Sequence, residues 1–289
     1  MNAVVAIFTL GAVSSISAAQ ATIDHENRYP NVGVIMVWRV DSAGNPVELR
    51  GFASGTLIRD RVMLTAGHFT APATSLGTLP PSIRMFASFS PTDARDPTTW
   101  IPVVRHVTHP SMPHCPPPPQ CDPTDDILVA PLEPGVADVG LVVLASAPSG
   151  IKPARLAEPG ILTRSEGVAT TIVGYGTTMP RRLTPPDSVV WDGKRRIRTS
   201  RVRRVIDETW ALWSIPSYVC SGDSGGGIFL GSRATETDPG VLVANVSDGG
   251  RDCRRHNNNN RLDTRSIQKW INEAVRGGTT RLPSSIDGA

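Results

Sequence analysis

From Val32 to Val246 the chain is a succession of short apolar runs rich in β-branched residues, each closed by Gly, Pro, Asn or Asp. Val32 to Val40 reads as a strand, Asp41 to Pro46 as a turn, and Val47 to Phe52 as the returning arm of a hairpin. Gly55–Ile58, Arg61–Leu64, Ser82–Ser88, Ile101–Thr108 and Asp138–Leu144 continue the series. Thr170–Val173, Ile197–Val205, Thr209–Ile215, Gly227–Leu230 and Val241–Val246 complete it. No helical run alternates with these strands, which excludes a parallel βαβ sheet. With 26 Gly and 26 Pro among 289 residues, a long helical bundle is excluded as well. One helix is expected, at the end. Ile267, Trp270, Ile271, Ala274 and Val275 make one apolar stripe, with Asp263 or Thr264 as cap and Gly277-Gly278 as stop. So many short strands in a chain of this length predict an all-β protein of two barrels or sandwiches.

Ala3 to Val13 has the length of a secretory apolar segment, and small residues after it offer cleavage sites behind Ala19 or Ala21. No Lys or Arg precedes it. Residues 1–21 are therefore expected to be a signal peptide and the mature protein to be secreted. No uninterrupted apolar run reaches the roughly 18 residues of a membrane-spanning helix, so no membrane association is expected. The net charge of +3 is too small to imply nucleic acid by itself. Lys194 to Arg204 does hold seven basic residues in eleven positions. Without interleaved aromatics, this reads as a solvated strand face rather than a nucleic-acid site. Four cysteines suit an exported protein with two disulfides and three possible connectivities. Pairing near neighbours, Cys115–Cys121 and Cys220–Cys253, is the simplest of them. The absence of a C-x-x-C pair and the scattered histidines disfavour a metal site.

Ser221-Gly222-Asp223-Ser224-Gly225-Gly226-Gly227 is the stretch that most suggests chemistry. Glycines around a serine permit a tight bend that exposes the hydroxyl, and the N–H groups of Gly222 and Ser224 could form an oxyanion hole. A serine needs a base. His68, in Leu64-Thr65-Ala66-Gly67-His68, follows a strand and has small neighbours, whereas His106, His109 and His114 fall in a loop-rich region. The base in turn needs an orienting carboxylate. Asp138 leads the apolar strand Val139 to Leu144, where an acid is costly unless paired. Asp126 leads a similar run broken by Pro131 and ranks second.

These segments together resemble the chymotrypsin/trypsin-like serine proteases. Thr65-Ala66-Gly67-His68, Asp138-Val139-Gly140-Leu141 and Gly222-Asp223-Ser224-Gly225-Gly226 match the family's three motifs in the family's order. Gly55-Thr56-Leu57-Ile58, Val173-Gly174-Tyr175-Gly176 and Val246-Ser247-Asp248-Gly249 are subsidiary matches, and the likeness spans roughly residues 30 to 276. The resemblance implies two packed antiparallel six-stranded β-barrels, about 30–155 and 156–265, followed by a C-terminal helix at about 266–276. It implies a His68, Asp138, Ser224 triad, an oxyanion hole at Gly222 and Ser224, and a disulfide Cys220–Cys253 beside the specificity pocket. Tyr218 would floor that pocket, and Ser247 and Gly249 would receive substrate backbone. It implies protein or peptide substrates, a monomer, and no cofactor. Without an Asp at position 218, trypsin-type cleavage after Arg or Lys is disfavoured.

The chain departs from the family pattern in ways that resemble some secreted bacterial members. Ala53 and Phe69 stand where a disulfide beside the histidine is usual, Gly227 replaces a Pro, and Asp248 replaces a Trp. The family frees an Ile whose amine pairs with the Asp before the nucleophile, here Asp223. Thr22-Ile23-Asp24-His25 lacks the usual I-V-G-G, so another device should order Asp223. Two other readings compete. An α/β-hydrolase elbow would need an acid and then a His after Ser224, and only His256 follows. A catalytically silent, protease-like binding protein would keep the fold without the reaction.

Overall fold

A computed structural model describes residues 21–75, 79–113, 135–178, 191–213, 218–231, 240–248, 253 and 257–279. Residues 1–20, Cys115, Cys121, Asp126 and Gly249 lie outside them. In chain order the first strands are β1 (Thr22–Ile23), β2 (Val32–Val40), β3 (Pro46–Arg59) and β4 (Val62–Thr65). Helix α1 (Gly67–Ser75), β5 (Ile83–Ser88), β6 (Ile101–Thr108), β7 (Gly140–Leu144) and β8 (Arg155–Leu156) follow. Then come β9 (Ala169–Gly174), β10 (Arg196–Val205), β11 (Trp210–Trp213), β12 (Gly227–Leu230), β13 (Val241–Asp248), β14 (Asn257–Arg261) and α2 (Arg265–Thr279).

The strands close into two six-stranded antiparallel barrels. The first runs β2-β3-β4-β7-β6-β5 and returns to β2; the second runs β9-β10-β11-β14-β13-β12 and returns to β9. The period-2 alternation explains how one strand serves two cores. On β2, Ile35 and Val37 face the cluster inside the first barrel, with Leu57, Met63, Met85 and Val142. Val34 and Met36 face the opposite way, into a cluster that takes Val173 and Phe229 from the second barrel and Ile267 and Ile271 from α2. Ile172, Val202, Trp213 and Val243 fill the second barrel. The two barrels and the helix thus share one apolar layer, and the site lies where their strand ends meet.

Three expectations need correction. Gly67–Ser75 is helical although GHFTAPATS has no apolar stripe; packing against β6 and β7 supplies what the pattern lacks. A Thr70 Oγ1–Thr108 Oγ1 hydrogen bond of 2.7 Å ties it to β6. The asparagine run, which shows no strand pattern, is strand β14, and the Asn260 and Asn259 amide oxygens accept the buried N–H groups of Asp138 and Ser247. The basic run is no solvated face. Arg195, Arg196 and Arg198 are 0%, 5% and 2% exposed, and they pair with Asp24, Asp192 and Asp223. Of the strand's arginines, Arg201, Arg203 and Arg204 point outward.

The N-terminal segment is docked by the first of those pairs. β11 leaves β10 at Val202, and β1 takes the vacated edge, pairing Thr22 with Ile197 and Ile23 with Arg196. Arg195 Nε donates to Asp24 Oδ2 at 2.9 Å, while its other nitrogens reach Asn27, Val32 O and Phe89 O. Cys220 and Cys253 form a disulfide with Cα atoms 4.9 Å apart. Cys220→Ala/Cys253→Ala should cost about 2–4 kcal/mol, as expected for a closed loop of this size. Urea unfolding of the double variant beside the parent checks it.

Candidate active site

Strand β4 ends at Thr65, and α1 begins two residues later, so His68 leaves the barrel rim with its ring 19% exposed. Asp138 comes in just ahead of β7 and is 0% exposed. The antiparallel pairing of β4 with β7, Thr65 opposite Gly140, brings the two together. Asp138 Oδ2 lies 2.8 Å from His68 Nδ1, and Oδ1 accepts the His68 backbone N–H at 2.7 Å. The Ser247 hydroxyl donates to Oδ2 as well. Gly67 must be glycine here, since a Cβ would meet Val139 N at 2.9 Å.

The second barrel grips the Asp138 peptide on both sides. Asn260 Oδ1 accepts its N–H at 2.8 Å, and Asn245 Nδ2 donates to its carbonyl at 3.1 Å. Sequence reasoning missed both. Asn245 also heads an Asn245-Val246-Ser247 glycosylation sequon, which its complete burial makes inaccessible.

Burial alone would raise the Asp138 carboxyl, but the charge and hydrogen bonds of His68, with the Ser247 hydroxyl, hold it below its ordinary value of 3.8. A depressed folded value means stability that is full above the unfolded value and is lost as pH falls through the folded one. Stability should therefore fall below about pH 4, and the fall should be shallower in Asp138→Asn, measured as urea midpoints against pH.

Cys220 to Asp223 form a turn closed by Asp223 N–H to Cys220 O at 2.9 Å, with Gly222 at φ 90°. Ser224 follows it and is partly exposed. Its carbonyl accepts the Ser54 N–H at 2.8 Å, and Gly225 packs on Thr65 and Ala66, directly before Gly67 and His68. No hydrogen bond among the described residues engages the Ser224 hydroxyl or the N–H groups of Gly222 and Ser224. The serine turn and the His68 segment abut.

Asp223 is wholly buried, and its carboxylate accepts from two backbone N–H groups and one arginine. Cys220 N–H and Gly176 N–H reach it at 2.9 and 2.8 Å. Arg198 grips it with both terminal nitrogens, at 3.1 Å to Oδ1 and 2.9 Å to Oδ2. That fork engages both carboxylate oxygens of Asp223, and Ile23 is held in β1. Tyr218, two residues before Cys220, is half-buried at φ 52°, and Cys253, the disulfide partner of Cys220, sits at φ 56°. The other described histidine with a clear environment, His109, packs edge-on against Trp270 of α2.

The family model described as Trypsin matches residues 41–271. The chain belongs to the trypsin family. Among solved structures, this trypsin-family chain is similar to neuropsin, a serine protease expressed in the limbic system of mouse brain. Identity is 17%, coverage is 89% of this chain and 99% of that one, and the TM-score is 0.57. A structure described as GrC is 16% identical, with coverage of 89% and 98% and a TM-score of 0.56. At these identities the likeness is one of fold. No curated protein shows a significant match to the sequence. Among the described residues no helix is long and apolar enough to cross a membrane, and no group of three metal-ligating side chains occurs.

Proposed function

We propose that this trypsin-family chain is a secreted serine endopeptidase acting through His68, Asp138 and Ser224. The observation that carries the reading is the 2.8 Å His68 Nδ1–Asp138 Oδ2 bond to a wholly buried carboxylate, beside a Gly-Asp-Ser turn. Nδ1–H bound to Asp138 leaves Nε2 as the base. Ser224 Oγ attacks the peptide carbonyl while Nε2 takes its proton. The carbonyl oxygen becomes an oxyanion bound by the unengaged N–H groups of Gly222 and Ser224. Collapse breaks the C–N bond, His68 returns the proton to the leaving amine, and an ester to Ser224 remains. Water, deprotonated by His68, hydrolyses that ester by the same steps. Asp138 stays ionised and stabilises the imidazolium. No cofactor enters this scheme.

In this reading residues 1–21 are removed as a signal peptide, Cys115 pairs with Cys121, and the mature domain acts as a monomer. Tyr218, Ser247 and Gly249 border the substrate, and the uncharged Tyr218 disfavours Arg and Lys at the cleaved bond. The test is labelling of the purified mature protein with a fluorophosphonate, with the modified peptide identified by mass spectrometry. Adduct at Ser224, absent from Ser224→Ala and His68→Ala, is expected. Folded protein that takes no label would instead be a silent binding scaffold.

A further inference from the structure

Ser54, on β3 of the first barrel, is 0% exposed, and all its polar atoms are used. Its N–H donates to Ser224 O, and its carbonyl accepts the Thr65 hydroxyl at 2.7 Å. Its Oγ donates to Gly222 O at 2.7 Å and accepts the Tyr175 N–H at 2.8 Å. A hydroxyl is the small group that can do both at once. Ser54 therefore touches the serine turn at two carbonyls, two residues apart.

The turn itself explains why that matters. Each of its first three carbonyls has a donor: Cys220 O takes Asp223 N–H, Ser221 O takes Thr177 N–H at 2.9 Å, and Gly222 O takes Ser54 Oγ. In a trans peptide the N–H points opposite to the carbonyl. Holding Ser221 O on Thr177 therefore turns the Gly222 N–H the other way, where it meets no partner among the described residues. The competing conformer of such a turn rotates the Ser221–Gly222 peptide, which needs Gly222 to change φ. That change is easiest when the Gly222–Asp223 peptide is free to follow it, and Ser54 holds that peptide at its carbonyl. The Phe52 ring, stacked on Trp191 at 4.6 Å, closes the space beside the Gly222 Cα.

We infer that Ser54 is a positioning residue for acyl transfer: by holding the Gly222 carbonyl it presets the Gly222 N–H as an oxyanion donor. The inference rests on the serine protease reading of the same site. A residue that merely joined the barrels would cost stability when removed but leave each folded molecule equally reactive.

The experiment compares wild type, Ser54→Ala and Ser54→Cys. It measures the rate of Ser224 labelling by a fluorophosphonate, kcat and KM for p-nitrophenyl acetate, and the folded fraction by circular dichroism. Ser54→Ala should label about 10- to 100-fold more slowly per folded molecule, less than the roughly 10²- to 10³-fold loss when an oxyanion donor is deleted outright. The loss should fall on kcat with KM little changed. The pH midpoint of labelling should stay where it is, because the His68–Asp138 pair is untouched. Ser54→Cys, close in volume but a weaker donor, should label about 3- to 10-fold more slowly and keeps the test open if the alanine variant does not fold. Either variant folded and labelling at the wild-type rate, or with a displaced pH midpoint, overturns the role of Ser54 and leaves the protease reading intact. Wild type that never labels overturns the protease reading and this one with it.

Discussion

Ser224→Ala is expected to lower kcat by about 10⁶-fold while leaving stability within about 0.5 kcal/mol. The two halves of this expectation have different origins. The serine hydroxyl is partly exposed and makes no hydrogen bond among the described residues, so removing it breaks nothing in the fold. In the proposed mechanism it is the atom that forms the acyl bond, and the catalysis that remains would come only from the oxyanion donors and substrate binding. His68→Ala should lose a similar factor in kcat, yet it should also destabilise. It strips the imidazole from a buried carboxylate that then keeps only Ser247 and one backbone N–H. The double variant should be no slower than either single one, because base and nucleophile act as a unit. Measuring kcat for p-nitrophenyl acetate and urea midpoints on the three proteins separates the expectations. A Ser224→Ala protein that keeps wild-type turnover would remove the serine from the mechanism.

What the sequence made legible follows from where each signal resides. The strands of both barrels are readable as short apolar, β-branched runs closed by turn residues, such as Val32 to Val40, whose two faces both pack into cores. His68, Asp138 and Ser224 are readable because small residues must surround a side chain that leaves a strand end. Their tertiary partners are not readable. Asn245 and Asn260 hold the Asp138 peptide from across the interface, and an asparagine run carries no strand signal of its own. Arg198 is hidden in the opposite way. Among seven basic residues nothing in the local pattern separates Arg198, buried on Asp223, from Arg201, which faces solvent. Only the closure of β9 on β10 and β12 decides which arginine lies inside. Ser54 is one small polar residue in a strand, and its meaning lies entirely in what it faces.

Arg198→Met is expected to destabilise the protein by about 3–5 kcal/mol and to abolish labelling of Ser224 in whatever remains folded. The guanidinium is 1% exposed and the carboxylate 0%, so methionine would leave Asp223 as a buried charge held by two N–H groups alone. Breaking a buried pair costs more than the pair ever contributed, because the surviving ion can neither reach water nor find another partner. Here the surviving ion also shapes the serine turn, since Asp223 Oδ2 takes the Cys220 N–H and its own N–H closes the turn on Cys220 O. Arg198→Lys should fall between, because a single ammonium cannot bridge two carboxylate oxygens as the planar fork does. Arg198→Met/Asp223→Asn tests the electrostatic origin: it should regain much of the stability by removing the charge, yet should not regain labelling. The Arg198–Asp223 pair also bears on the N-terminus. With Arg198 already on Asp223 and Ile23 paired to Arg196 in a strand, a free amine at Ile23 has no vacant partner. Mature protein that retains residues ahead of Ile23 should therefore label as fast as protein trimmed to begin there. If trimming proved necessary, Arg198 would be a structural ion pair and the ordering of Asp223 would have to come from the new terminus.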